Sequence, residues 1–232
     1  LYIDKFKDYC PNGLQIEGSL NITKIVSGVS ANLELIERAI EEKADAIFVH
    51  HGVFWDNESK TISGAKRAKI ALLLKHNINL FGFHLPLDDH DEVGNNVELG
   101  RRLGIKNMEP VAGGLLWQGE LNTNISDFSK LIEEKLDRAP QVFGKQSGKI
   151  KKISWCTGAA QGFIEDAINL NVDLYLSGEV SEKTPAVAKE NNITFISAGH
   201  HATERYGVQA LCKHLCSQFK LQHHYIEVDN SV

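Results

Sequence analysis

Lys24–His51, KIVSGVSANLELIERAIEEKADAIFVHH, reads as a strand over Lys24–Ser30, a helix over Leu33–Lys43 and a buried strand over Ala46–Val49. Moving along the chain by 128 positions lays this stretch on Lys152–Glu179. Ala31, Ile36, Glu37, Ala39, Ile40 and Asp45 recur as Ala159, Ile164, Glu165, Ala167, Ile168 and Asp173, a spacing that keeps the Ile and Ala side chains on one helical face. A further pair, Asn77–His84 against Asn192–Gly199, follows at an offset of 115, so the first copy carries about thirteen extra residues around Phe54–Lys66. Helices over Gly64–Lys75, Gly162–Leu170, Lys183–Glu190 and Thr203–Phe219 alternate with strands over Asn79–Phe83, Lys152–Thr157, Asp173–Ser177 and Thr194–Ser197. A last strand is expected over Tyr225–Val228. Between the copies, Leu115–Leu121 reads as a strand and Ser126 as the cap of a helix reaching Leu136. The expected fold class is α/β, with two similar, duplicated lobes over 1–112 and 113–232, closely packed, the C-terminal elements free to return to the first.

The composition excludes several functions. With 42% hydrophobic and 24% charged residues, the 232-residue chain can bury an ordinary globular core. A net charge of −5 gives no basic footprint for nucleic acid or anionic lipid, and no apolar run approaches a membrane span or a signal peptide. Cys10, Cys156, Cys212 and Cys216 are too scattered for a disulfide framework, which points to a reducing cytoplasm. Cys212 and Cys216 share a helical face, but without a second cysteine pair they read as small packed hydrophobes rather than a zinc site. Met108 is the only methionine, so the natural chain is expected to extend N-terminally of Leu1.

In open α/β sheets, ligands bind beyond the carboxyl ends of the strands. His50 and His51 end one strand, His84 follows the next with Asp88 four residues on, and His200, His201 and Glu204 follow the matching strand of the second copy. One histidine at a strand end is most simply a satisfied polar residue; a cluster at equivalent strand ends argues for a divalent metal, since imidazole with carboxylate suits zinc, iron, manganese, cobalt or nickel. Adjacent side chains on an extended strand diverge, so His50 and His51 need two neighbouring ions or a bend to act together. His200 and Glu204, at i and i+4, meet on one helical face. Asp88, on the Pro-stiffened Leu85-Pro86-Leu87-Asp88 turn, is placed to bridge two ions, leaving His84, His90 and His201 as supporting or proton-transfer candidates. Glu179 occupies the position matching His51 and is a catalytic or substrate-binding candidate, with a solvated or capping glutamate as the plainer reading. Trp55 is a candidate pocket wall, though an aromatic there is more often core. Pro11-Asn12-Gly13-Leu14-Gln15 is a turn by composition, and His76, His214, His223 and His224 are expected at the surface.

Pro11-Asn12-Gly13-Leu14-Gln15, Val49-His50-His51-Gly52, His84-Leu85-Pro86-Leu87-Asp88, Gly94-Asn95-Asn96, Ser177-Gly178-Glu179 and Gly199-His200-His201-Ala202-Thr203-Glu204 together resemble the NIF-three-like family, whose short bacterial members carry the name GTP cyclohydrolase I type 2 homolog. The resemblance spans nearly the whole chain. It implies two related lobes, a toroidal homohexamer, and a dinuclear metal centre in the cleft between the lobes with His50, His51, Asp88, His200 and Glu204 as ligands to two divalent ions. His84 and Glu179 are then the catalytic candidates. The implied activity is metal-dependent hydrolysis of GTP or a related nucleotide or heterocycle, with attack at C8 of the purine and release of formate. The chain lacks a phosphate-cradling GxxxxGK[ST] loop, which weakens a nucleotide-directed reading. The competing class is a non-catalytic, ring-shaped metal-binding or interaction protein.

Overall fold

The structure, a computed structural model, describes residues 1–111 and 114–232. The boundary expected between 112 and 113 lies outside the described residues. In chain order the elements are β1 (Gly13–Ile16), β2 (Lys24–Ser30), α1 (Leu33–Glu41), β3 (Ala46–His51), α2 (Gly64–Lys75), β4 (Asn79–Gly82), α3 (Leu85–Asp89), α4 (Asn95–Arg102), β5 (Lys106–Pro110), β6 (Trp117–Asn124) and α5 (Ile125–Leu136). They continue with β7 (Gln141–Gly144), β8 (Lys149–Cys156), α6 (Ile164–Asn169), β9 (Leu174–Ser177), α7 (Thr184–Glu190), β10 (Thr194–Ser197), α8 (His200–Phe219) and β11 (Gln222–Tyr225). Two compact units result, one of Leu1–Gly94 with Arg205–Asp229, the other of Asn95–Glu204 with Asn230–Val232.

The first unit holds a five-stranded sheet, order β1-β4-β3-β2-β11, in which only the pairing of β1 with β4 is antiparallel. Its apolar runs are continuous because both faces are covered. Val26, Ile47, Val49 and Leu80 pack against Leu35, Ile36 and Ala39 of α1 and Ile70 and Leu73 of α2. Ile25, Ala46 and Phe48, pointing the other way, meet Val208, Leu211 and Cys212 of α8, whose i, i+3, i+4 spacing makes one stripe.

The second unit holds a six-stranded sheet, order β5-β6-β8-β9-β10-β7, parallel through β8, β9 and β10 and antiparallel elsewhere. Cys156, Tyr175 and Phe195 face Ile164, Ala167 and Ala188.

Local devices recur between the units at matched positions. The carboxylate of Asp45 accepts from the backbone N–H groups of Thr23 and Lys24 at 2.8 and 3.0 Å, and that of Asp173 from Lys151 and Lys152 at the same distances. Each aspartate thus fixes the register of the strand before it. Lys43 and Asn77, ending α1 and α2, have φ of 57° and 55°; Asn171 and Asn192, ending α6 and α7, have 53° and 54°. A left-handed residue there turns the chain off the helix into the next strand.

Three expectations are corrected. The last strand is Gln222–Tyr225, not Tyr225–Val228, because β11 is an edge strand whose half-exposed residues need no apolar run, while Ile226 just beyond it enters the core. Helix α5 is capped by Asn124, whose side chain accepts from Asp127 N–H at 2.9 Å, rather than by Ser126. His223 is half-buried rather than at the surface, its Nε2 lying 2.8 Å from Ser27 Oγ inside the first unit. Cys10, Cys156 and Cys212 are buried, Cys212 fully, and Cys216 is half-buried. Among the described residues, no helix is long and apolar enough to cross a membrane.

Candidate metal centre

In the first unit, the carboxyl ends of β3 and β4 present three imidazoles. His50 is fully buried, and its Nδ1 donates to the carbonyl of Phe83 at 2.8 Å, which directs Nε2 toward Asp88 Oδ1, 3.4 Å away. His51 Nδ1 lies 2.9 Å from Ser30 Oγ, a residue set directly opposite it by the parallel register of β2 and β3. His84 Nδ1 donates to Asp8 Oδ1 at 2.8 Å. Although His50 and His51 are neighbours on a strand, their rings are only 4.6 Å apart, and one ligand nitrogen from each of His50, His51 and His84 falls within 4.8 Å of the others. Asp88 sits on the short helix α3 rather than on a turn, with Pro at its start, and is buried.

Three residues of the N-terminal segment, Asp8, Asn12 and Gln15, hold this arrangement, and their polar character alone gave no sign of it. The carboxylate of Asp8 also accepts from Asn12 Nδ2 at 2.9 Å and from Leu85 N–H at 3.0 Å, and Asn12 Oδ1 accepts from His84 N–H at 2.7 Å. Gln15 bridges the segment to the strand end, its Oε1 accepting from Val53 N–H at 2.9 Å and its Nε2 donating to Pro11 at 2.8 Å. A side chain at Gly52 would occupy the place of the Gln15 amide. Pro11-Asn12-Gly13-Leu14-Gln15 is therefore a positioning device, not merely a turn. Cys10 completes a second cluster with Asp8 and His84.

Burial by itself would raise the Asp8 carboxyl, but the bonds from His84 and Asn12, with the Leu85 N–H, hold it at about 2. A carboxyl depressed on folding contributes stability that is present above the ordinary value of 3.8 and is lost as pH falls through about 2. Denaturant melts should therefore show Asp8→Asn less stable than the wild type at pH 5, with the gap closing toward pH 2. A gap that does not change with pH contradicts this role.

In the second unit, His200 and Glu204 lie one turn apart at the start of α8, with His200 Nε2 3.0 Å from Glu204 Oε2. His200 Nδ1 donates to Glu179 Oε1 at 2.6 Å. Burial alone would push His200 down; its bonds to Glu204 and Glu179 and their charges outweigh that and hold it up at about 9. Glu179 thus acts on His200, and Glu204 is almost wholly buried. His201 is buried on the same turn. His90 is used elsewhere, its Nδ1 accepting from the N–H groups of Glu92 and Val93 at 3.2 and 3.3 Å. Asn96 of the Gly94-Asn95-Asn96 motif ties α4 to β8, accepting from Trp155 Nε1 on its carbonyl at 2.9 Å and from Thr157 N–H on its side chain at 3.0 Å.

The chain is thus an α/β protein with two sheets and histidine–carboxylate groups suited to a metal ion. Residues 1–231 of its 232 match the family model described as Duf34/NIF3 (NGG1p interacting factor 3), and the chain belongs to that family. A protein of Allochromatium vinosum named GTP cyclohydrolase 1 type 2 homolog is 49% identical, covering 97% of this chain and 91% of the relative. A Pseudomonas aeruginosa protein of the same name is 46% identical, covering 99% and 94%. The solved structure of protein ybgI, described as of unknown function, superposes with a TM-score of 0.94 at 40% identity, covering 99% of this chain and 94% of that one.

Proposed function

We propose that the imidazoles and carboxylates of the two groups, His50, His51 and Asp88 with His200 and Glu204, hold two divalent metal ions, and that the protein is a metal-dependent hydrolase acting on GTP or a related heterocycle. One observation carries this reading. His50, His51, His84 and His200 each have Nδ1 engaged, by a carbonyl, a hydroxyl and two carboxylates in turn. A metal-ligating imidazole is held in the same way, its second ring nitrogen fixed by a carbonyl or carboxylate so that Nε2 is aimed and made more basic. The donor set, imidazole plus buried carboxylate, suits zinc, iron, manganese, cobalt or nickel.

When bound, divalent ions supply Lewis acidity and bring the pKa of a water down from 15.7 toward about 7. The protein supplies orientation and proton handling. Asp88, buried beside His50, would supply negative charge to a cation held there, and Glu204 would do the same beside His200. With Nδ1 fixed by Asp8, His84 has Nε2 left to act as the proton carrier in this reading. Glu179 positions His200, so Glu179→Gln should weaken metal binding by about 10- to 100-fold, measured by competition with a chromophoric chelator.

The relatives' shared name supports a purine nucleotide as the substrate. Incubation of metal-loaded protein with GTP should release formate, with the ring-opened product visible by mass spectrometry; protein with full metal content that leaves GTP unchanged would end the cyclohydrolase reading. Four cysteines scattered through the sequence fit a cytoplasmic home, and the family resemblance favours a toroidal homohexamer, for which sedimentation should give about six times the 25.8 kDa chain mass.

A further inference from the structure

Beside the imidazoles of the first unit lies a cavity of about 600 Å³ against Tyr9, Trp55, Asp56, Asn57 and Glu58. It is open to solvent on one side, so a ligand there would be held against one wall. The Trp55 ring stands edge-on to His84, with centroids 5.2 Å apart, and 5.8 Å from His51. Tyr9 stacks on Trp55 at 6.4 Å with the planes inclined by 29°. The two rings form an offset aromatic pair at the surface, so a flat ligand would stack on the outer face of one of them. Tyr9 is 55% exposed, so its ring offers a face to a ligand, and the Asp56 N–H donates to the Tyr9 carbonyl at 2.9 Å, holding Tyr9 beside Trp55. An exposed tyrosine beside a half-buried tryptophan adds little to a core; it offers flat apolar faces to a ligand.

The polar rim selects among flat ligands. Glu58 pairs with Lys66 at 3.3 Å, while the exposed Asp56 carboxylate stands at the pocket's edge and can only accept hydrogen bonds. We propose that the exposed aromatic pair Tyr9 and Trp55 stacks on the ring of a planar nitrogen heterocycle and that Asp56 reads N–H donors on its edge, making these three the specificity-determining residues beside His51 and His84. A ring stacked on Trp55 lies next to those imidazoles, where a ring carbon can meet the chemistry proposed above. The inference deepens that reading, and its test uses metal-free protein, so the two can fail separately.

The probes are guanosine, which carries imino and amino donors, and purine riboside, which has the same ring system without them. Calorimetric titration of metal-free protein should show guanosine binding more tightly than purine riboside. Trp55→Leu and Tyr9→Leu should each weaken guanosine about tenfold or more, the effect of losing one base–aromatic stack, while Trp55→Phe keeps most of the affinity. Asp56→Asn should abolish the preference for guanosine and leave purine riboside binding unchanged. Melting curves identify any variant that fails to fold, and the Phe variant then decides. Guanosine affinity equal in wild type and in folded Trp55→Leu and Tyr9→Leu proteins, or no binding of either nucleoside by folded wild type, would overturn the proposal.

Discussion

His50→Ala and Glu204→Ala proteins should each lose divalent metal affinity by more than about 100-fold. Removing a residue that only supports a ligand lowers affinity by about 10- to 100-fold, and a ligand itself should count for more. His50 is the sharper case. It is fully buried, fixed by the Phe83 carbonyl and turned toward Asp88, so alanine leaves a cavity in which nothing replaces the nitrogen. Glu204 tests the other group, because it faces His200 from the first turn of α8. His90→Ala is the control: its ring serves the turn at Glu92 and Val93, so that variant should retain wild-type metal. Equal metal content in all four proteins would remove both residues from the assignment.

Gly158→Ala should uncouple the second group while leaving the fold standing. Gly158 has φ +67°, and a methyl there would strike the Glu204 carboxylate. The left-handed backbone costs about 1–2 kcal/mol for a residue with a Cβ. In a protein of this size that lowers the melting temperature by about 2–4 °C per kcal/mol. The clash adds little to the loss of stability, since the end of a glutamate side chain can swing away; what is lost is its place beside His200. Metal affinity should fall by more than about tenfold, comparable to damage at an orienting residue. Gly104→Ala separates the two effects, because Gly104 has φ +70° with open space around its Cβ position. It should melt like Gly158→Ala but keep its metal. If both variants keep metal, the Glu204 carboxylate is not a ligand.

Apolar periodicity was enough to place the strands that carry the site. β2, α2 and β10 fall on the residues expected of them, and His50, His51, His84, His200 and Glu204 stand at element ends as the pattern required. What the pattern could not reach was the support. Asp8 and Asn12 lie 76 and 72 residues before His84, in a polar segment with no periodicity, and only the folded chain brings them to it. A partial signal existed: Asp8 and Asn12 are spaced i, i+4 and run into the Pro11-Asn12-Gly13 motif. Ser30 was within reach as well, since pairing β2 with β3 in parallel register puts it opposite His51. The expected divergence of His50 and His51 did not keep their rings apart, because β3 ends at His51 and the ring of each is turned by its own Nδ1 partner. Edge strand β11 escaped for the opposite reason: it is mostly polar, and its place comes from backbone pairing with β2.

Metal stoichiometry tests the two-ion centre most directly. Purified protein, stripped with chelator, offered zinc, iron, manganese, cobalt or nickel in turn and then dialysed, should retain two ions per chain of at least one of these metals by inductively coupled plasma mass spectrometry. Folded protein that retains none of them would contradict a metal centre built on these imidazoles.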